Sequence, residues 1–295
     1  MNEHRAQIVL NMYMSTPQKA RIPSFFTAPA AALCMLVFLL PLTLLAQEKN
    51  QKTEVIIIGL IHSGNRYITN RILTQQLQQL QPHIVLWEYD KDFKKVLGLL
   101  TLSRLGIVKG HIEEVAIQRY LRKNKTTPVF GFDIHIPNRK NYIKNRIKND
   151  DSLHKALLVA RLDSIEAEQY AAYQNGWKTY GALIEKGTLE QLNDAITHKL
   201  VKQLYQWEQT IIIPLAQKYI ANKVLVLKYE QEQKFWIERN NFMVARIVQQ
   251  IKKHPGKRIV LLTGNNHHYY LKEGLLNQSE VDIHFPEWND SASKK

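Results

Sequence analysis

The sequence contains a single cysteine, Cys34, among its 295 residues. One cysteine excludes an intrachain disulfide, a cysteine-based zinc site and an iron–sulfur cluster. Acidic residues are also scarce, with 26 Asp and Glu against 40 Lys and Arg, which gives a formal net charge of +14. The basic residues are scattered, and no zinc finger, RNP-type aromatic motif or arginine-rich arm accompanies them. We therefore expect no nucleic-acid partner.

Several catalytic signatures are absent as well. The chain has no Walker loop, no dinucleotide-binding GxGxxG, no HExxH and no GxSxG nucleophile elbow. These absences argue against nucleotide hydrolysis, NAD chemistry and a serine hydrolase of the elbow type. The composition, 45% hydrophobic and 22% charged, is that of a globular protein.

The N-terminal segment has the features of an export signal. Residues Ser24–Ala46 carry no charge, and Lys19 and Arg21 stand just before them. This order of basic, apolar and small residues predicts a signal peptide over residues 1–46. An uncleaved anchor is the alternative, because about 20 apolar residues can span a bilayer. We expect an exported protein of the periplasm or cell envelope, with possible membrane association through this segment.

Residues 47–295 are predicted to form one α/β domain. Short apolar runs alternate with longer helical stretches, and four of the runs are almost continuously apolar: Val55–Gly59, Ile84–Trp87, Val129–Phe132 and Ile259–Thr263. Such runs are typical of strands buried on both faces of a parallel sheet. A weaker run is Val281–Phe285. The pattern predicts a mostly parallel central sheet flanked by helices.

The middle of the chain has a different character. Residues 150–222 contain no convincing strand and are rich in helix formers, which predicts a helical insertion. On either side, helices are predicted over Tyr67–Leu80 and Phe242–Ile251. Val224–Leu227 is compatible either with another strand or with the start of the second helix.

Polar residues follow each predicted strand, where ligands bind in open α/β sheets. They are His62, Asn65, Glu88, Asp133, His135, Asn266, His267 and His268. Two of these strand ends share a G-x-x-H spacing, Gly59 to His62 and Gly264 to His267. Two imidazoles and a carboxylate so placed can hold a divalent metal with an open position for water. Without a metal, one histidine and Glu88 can act as general base and acid.

Four motifs carry a family resemblance. The sequences GLIH, WEYD, ERNNFM (Glu238–Met243) and GNNH occur in this order. They resemble the motifs of the TraB/GumN–Tiki superfamily, which is related to ChaN-type and erythromycin-esterase-type proteins. The resemblance covers residues 54–90 and 234–276. Members of this group are metal-dependent proteases, esterases and haem-binding proteins.

The resemblance implies a set of site residues and an activity. His62 and His267 become ligands of manganese, cobalt or zinc, with Glu88 as third ligand or general acid/base. Arg239 and Asn240 are expected at the beginning of a helix near the same edge, where they would assist catalysis. The implied activity is metal-dependent hydrolysis of an amide or ester bond in a peptide or small molecule.

Two further expectations concern binding. Because Asn65 and Asn266 follow predicted strands, we expect them to contact substrate. The alternative to a hydrolase is a non-catalytic envelope protein that holds haem or metal at the same edge. Tyr269 and Tyr270 offer phenolate ligands for haem iron in that alternative.

Overall fold

The computed structural model describes residues 52–90, 111–278 and 283–284, which belong to one compact unit. The predicted signal segment Ser24–Ala46 lies outside the described residues. Among those described, no helix is long and apolar enough to cross a lipid bilayer.

The described chain alternates strands and helices at first and is helical in its middle. Its elements are β1 (Thr53–Leu60), α1 (Asn70–Leu80), β2 (Ile84–Trp87), α2 (Ile112–Lys123), β3 (Val129–Gly131), α3 (Arg139–Leu158), α4 (Ser164–Lys186), α5 (Leu189–Asn193), α6 (Ala195–Trp207), a π-helical turn (Glu208–Ile212), α7 (Ile213–Tyr219), α8 (Lys223–Lys253), β4 (Arg258–Gly264), α9 (Asn265–Leu276) and β5 (Ile283–His284).

The strands form one parallel sheet in the order β3-β2-β4-β1-β5. This confirms the predicted fold class, a parallel sheet flanked by helices. The four continuous apolar runs became β1 to β4, and no strand end differs from the prediction by more than two residues. Of the weak run, the pair Ile283–His284 is described, and it adds β5 beside β1.

Both faces of the sheet are buried, which explains why its strands are continuously apolar. On β1, Ile56 and Ile58 face α1 and α2, whereas Val55 and Ile57 face α8 and α9. Each strand therefore contributes side chains to two cores. Burial of these side chains, at about 25 cal/mol per Å² of apolar surface, is the main force that holds the layers together.

The middle of the chain is helical, as predicted. Residues 150–222 contain no strand, and α3, α4, α7 and α8 share a separate hydrophobic core. The ambiguous segment Val224–Leu227 is helical, because α8 begins at Lys223 with Asn222 as its N-cap. This helix has 31 residues. It is far longer than the predicted Phe242–Ile251 and changes where Arg239 and Asn240 lie.

Candidate functional site

The strand ends meet because of the sheet register. The backbone N–H of Glu88 donates to Leu262 O at 3.0 Å, and that of Asp133 donates to Tyr89 O at 3.0 Å. These bonds continue the pairing of β2 with β4 and of β2 with β3 beyond the strands themselves. The side chains of Glu88 and Asp133 are therefore brought to one edge of the sheet, beside the start of α9.

Glu88 is a buried carboxylate surrounded by donors. Its Oε2 accepts from the backbone N–H of Gly264 at 2.6 Å and from the Thr263 hydroxyl at 2.9 Å. Its Oε1 accepts from Arg239 Nη2 at 2.7 Å. Burial alone would raise the pKa of Glu88. The nearby histidines, Arg239 and the Gly264 N–H outweigh that effect and hold the pKa well below its usual range.

Arg239 joins two strand ends. Besides Glu88, it binds Asp133 through Nε at 2.8 Å and through Nη2 at 2.9 Å. Its side chain is 12% exposed and lines the cavity above the sheet edge. We expected Arg239 at the beginning of a helix, and that position was wrong. It lies in the middle of α8, which passes over the carboxyl ends of the strands.

His62 forms a pair with a residue that the sequence did not indicate. Its Nδ1 is 2.5 Å from Glu113 Oε1, and its Nε2 is 3.7 Å from Glu88 Oε2. Glu113 lies in the first turn of α2, and the backbone N–H of Ile112 donates to His62 O at 3.1 Å. That backbone bond fixes the start of α2 against the end of β1. The imidazole is therefore oriented by a buried carboxylate, as in catalytic histidine–carboxylate pairs.

The charge of His62 follows from these neighbours. Burial would lower its pKa, but the hydrogen bond and negative charge of Glu113 and the charge of Glu88 raise it to about 9. The side chain remains 34% exposed and lines the cavity. His62 is thus a partly accessible base that is protonated at neutral pH in the free protein.

His267 is held differently from His62. Its Nδ1 is 2.7 Å from Asn240 Oδ1, its Nε2 is 3.5 Å from Glu88 Oε1, and its ring stacks on Trp236 at 4.2 Å. Burial is the main reason that its pKa falls to about 4, so the ring is neutral at pH 7. Asn240 in turn donates to Trp236 O at 2.7 Å and is fully buried. Asn240 therefore fixes the His267 ring.

A cavity of about 570 Å³ lies over this edge. It is lined by His62, Glu88, Arg239, Asn266 and His267, among others. Asn266 accepts a hydrogen bond from the Tyr180 hydroxyl at 2.6 Å. The other expected substrate ligand, Asn65, does not line this cavity. Its amide nitrogen donates to Ile184 O and Gly187 O, and its oxygen accepts from the backbone N–H groups of Tyr67 and Ile68. Asn65 thus joins the loop after β1 to the end of α4.

The remaining candidate residues do not line this cavity. His268 points to Ile57 O at 3.1 Å and stacks on His198. His135 is 67% exposed and pairs with Asp90. Tyr269 is buried, and the Tyr270 hydroxyl donates to Asn241 at 2.9 Å. Among the described residues, these contacts favour packing over ligation.

A candidate metal cluster in the described residues shares only His62 with the predicted ligands His62, His267 and Glu88. Both oxygens of Glu88 already accept hydrogen bonds, and Arg239 places a positive charge against it, which disfavours a second cation. In the described part of the chain, the cluster whose ligand atoms lie within 4.8 Å of one another is His62, His111 and Glu113. Glu113 Oε2 is buried with no hydrogen-bond partner. Two imidazoles and a carboxylate with a spare oxygen fit a divalent ion such as zinc.

Glu113 and Trp236 were missed at the sequence level. The only signal for Glu113 was an acidic pair at a helix start after His111, which helix-dipole and capping effects explain equally well. Trp236 precedes the ERNNFM motif by two residues, so its place over His267 follows from the length of α8.

Comparisons with known proteins add one weak likeness. No protein-family model matches this chain, and no curated protein matches it. A solved structure of a mutant erythromycin esterase, EreC, in its open conformation is similar over 78% of this chain and 68% of that chain. The two are 13% identical, with a TM-score of 0.32. The function proposed below therefore follows from the geometry of this chain's own residues.

Proposed function

We propose that this protein hydrolyses an ester or amide bond, with His62 as the general base. The observation that carries the proposal is the His62–Glu113 pair. It faces a cavity in which a buried arginine is held in place by two carboxylates, Glu88 and Asp133. This arrangement combines a base, a group that orients it and a fixed positive charge within one site, which acyl transfer to water requires.

The base acts through Nε2, since Nδ1 is occupied by Glu113. In its deprotonated form His62 takes a proton from a water molecule as that water attacks the carbonyl carbon. Glu113 stabilises the imidazolium that results. When the carbon–oxygen or carbon–nitrogen bond breaks, the same imidazolium returns the proton to the leaving group. Water is consumed, and an acid and an alcohol or amine are released.

Arg239 stabilises the negative charge that develops on the carbonyl oxygen. Its Nε and Nη2 are engaged by Asp133 and Glu88, so the guanidinium plane is fixed before the substrate binds. A donor that needs no reorganisation is the most effective kind of oxyanion stabiliser. Glu88 is in this account a positioning residue, because it holds Arg239 and the Gly264 backbone.

A divalent metal is compatible with the same site. His62, His111 and Glu113 would hold it. When bound, it would lower the pKa of a water molecule and so supply the nucleophile near neutral pH. In that case His62 and Glu113 would be ligands instead of the base and its orienting group, whereas Arg239 would keep its role at the carbonyl oxygen.

The test is turnover of a panel of aryl esters, alkyl esters and peptide amides by the full-length protein. We expect His62→Gln to lower kcat/KM about 100-fold or more, as loss of a general base does. His135→Gln is the matched control, because this exposed histidine also follows a strand, and it should change kcat/KM less than about twofold. Absence of turnover on the whole panel, or a fully active His62→Gln protein, would refute the proposal. Assays with a chelator and with added zinc, manganese or cobalt show whether a metal participates.

A further inference from the structure

A second cavity, of about 460 Å³, adjoins the one that contains His62. The two share Arg146, Trp236 and Asn266 as lining residues. They are therefore neighbouring compartments, and the ring of the shared residue Trp236 also stacks on His267.

The walls of this second cavity are aromatic. Its lining includes Tyr173, Trp177, Tyr205, Tyr229 and Trp236. Tyr205 stacks on Trp236 at 4.5 Å, and Trp177 meets Tyr173 and Tyr205 edge to face at 6.3 and 6.0 Å. The rings come from three different elements, α4, α6 and α8, so they enclose the space from several sides.

Three acidic side chains lie among these rings. Glu208 is 4% exposed and accepts hydrogen bonds from the Tyr173 and Tyr229 hydroxyls. It is the first residue of the π-helical turn, a kind of distortion that occurs frequently at functional sites. Asp150 and Glu232 line the same cavity. Arg146 is the one lysine or arginine among the described lining residues, so the acids outnumber it.

One carboxylate oxygen in this cavity lacks a donor. Glu232 Oε1 accepts from Asn149 at 2.8 Å, but Oε2 is buried with no hydrogen-bond partner in the described structure. A buried, unpaired acceptor is costly, because it has lost its water without gaining a donor. A ligand that carries a positive charge or an N–H group would satisfy this acceptor, and the buried N–H groups of Trp177 and Trp236, which also lack partners in the described structure, can bind an acceptor on the same ligand.

Burial also raises the pKa values of two of these acids. Burial raises the pKa of Glu208 to about 8 and that of Asp150 to about 6. Glu208 is therefore mostly protonated at pH 7 in the free protein, and burial penalises the ionised form of both acids. A cation entering the cavity would remove much of that penalty.

We propose that this second cavity binds a cationic amine carried by the substrate. Aromatic faces attract ammonium groups through their quadrupole, most strongly when water is excluded, and carboxylates supply the opposite charge. This inference rests on the proposed hydrolase function and adds its substrate class: an ester or amide bearing a tertiary or quaternary amine on one side of the scissile bond.

The test separates binding from turnover by using choline and its uncharged carbon isostere, 3,3-dimethylbutan-1-ol. Binding to the full-length protein is followed by tryptophan fluorescence and calorimetry. We expect choline to bind at least about tenfold more tightly than the isostere, because the two differ in charge but hardly in shape. His62→Gln should leave choline binding unchanged, because His62 does not line the second cavity. Choline binding without turnover of any ester or amide would therefore refute the hydrolase proposal and leave the binding site standing.

A charge-neutral variant locates the site. Glu232→Gln is expected to weaken choline binding about tenfold, whereas Glu238→Gln, on the same helix and 60% exposed, should leave it unchanged. Asp150→Asn serves as a second variant if Glu232→Gln does not give a folded protein. Equal binding of choline and the isostere, no saturable binding of choline, or wild-type choline binding by the folded variant would overturn the inference.

Discussion

The side chain of Asp133 is fully buried and bonded to two arginines. Arg239 reaches it from α8, and Arg139 reaches it from the start of α3. A buried carboxylate of this kind is stable only while its cationic partners remain in place, since it has lost its own hydration. Asp133 therefore connects β3 to two helices and at the same time fixes the guanidinium that faces the cavity.

We predict that Asp133→Asn destabilises the protein by about 3–5 kcal/mol, which is the usual cost of leaving one partner of a buried pair uncompensated. The measurement is the free energy of unfolding from urea denaturation. Glu54→Gln is the matched control, because Glu54 pairs with Arg258 at the surface, where such a change costs about 0–1 kcal/mol. Equal effects of the two substitutions would contradict the role given to Asp133.

At the scale of elements, the site depends on how closely β4 and α9 pass the catalytic side chains. A Cβ atom added at Gly264 would stand 3.1 Å from His62 Nε2 and 3.2 Å from Glu88 Oε2. The φ angle at Gly264 is −57°, so the backbone would accept another residue without strain. The absence of a side chain at Gly264 thus makes room for the functional groups themselves.

Gly264→Ala is therefore expected to impair catalysis far more than stability. We predict a fall in kcat/KM of about tenfold or more, because displacing reacting groups by a fraction of an ångström is costly. Gly181→Ala is the control: nothing lies within 4 Å of a Cβ there, and alanine should stabilise α4 by about 1 kcal/mol. Unchanged turnover in Gly264→Ala would show that the space beside His62 is not used.

The elements that the sequence predicted well are those with an unambiguous pattern. Runs such as Val55–Gly59 are continuously apolar because both faces of the sheet are covered. Such a run predicts a buried strand. The start of α8 was not predictable, since Val224–Leu227 is equally apolar but only four residues long. Ile84–Trp87 is equally short, but Pro82 just before it favours a strand, whereas Val224–Leu227 runs directly into helix-forming residues and is compatible with either structure.

The site was predictable only in part, because one of its central contacts joins residues that are far apart in the sequence. His62, Glu88 and His267 follow strands, so the sheet topology alone brings them together. Glu113 is 51 positions from His62, and its approach depends on a single backbone bond between Ile112 and His62. Nothing local in the sequence encodes such a contact.

For the whole molecule, the free energy of unfolding depends on pH through His62 and Glu208. Both groups make it fall as the pH rises above neutrality. The pKa of His62 is raised from 6.5 to about 9, so its stabilising contribution is complete below pH 6.5 and is lost as the pH rises through 9. The pKa of Glu208 is raised from 4.5 to about 8, so the unfolded chain loses this proton first and stability falls up to pH 8. Histidines with lowered pKa values change stability only below pH 6.5.

We predict that the free energy of unfolding falls between pH 6.5 and 8 by about 2 kcal/mol from Glu208 alone, the amount that 1.5 pH units of its titration supply, and that His62 adds to this fall. Urea denaturation at several pH values measures it. Glu208→Gln should make the slope in this interval shallower, since only the contribution of His62 then remains. A stability that rises with pH over this range would contradict the protonation states assigned to both groups.

The central claim, that His62 is a general base oriented by Glu113, is tested most directly by the pH dependence of kcat/KM. The wild-type rate is expected to rise with pH and to level off near pH 9, because only deprotonated His62 can take the proton from water. In Glu113→Gln the hydrogen bond remains possible but the negative charge is gone. In this variant the rise of kcat/KM with pH should therefore occur at lower pH, and kcat/KM should level off at a lower value than in the wild type. A wild-type profile without this rise, or a rise at the same pH in both proteins, would contradict the claim.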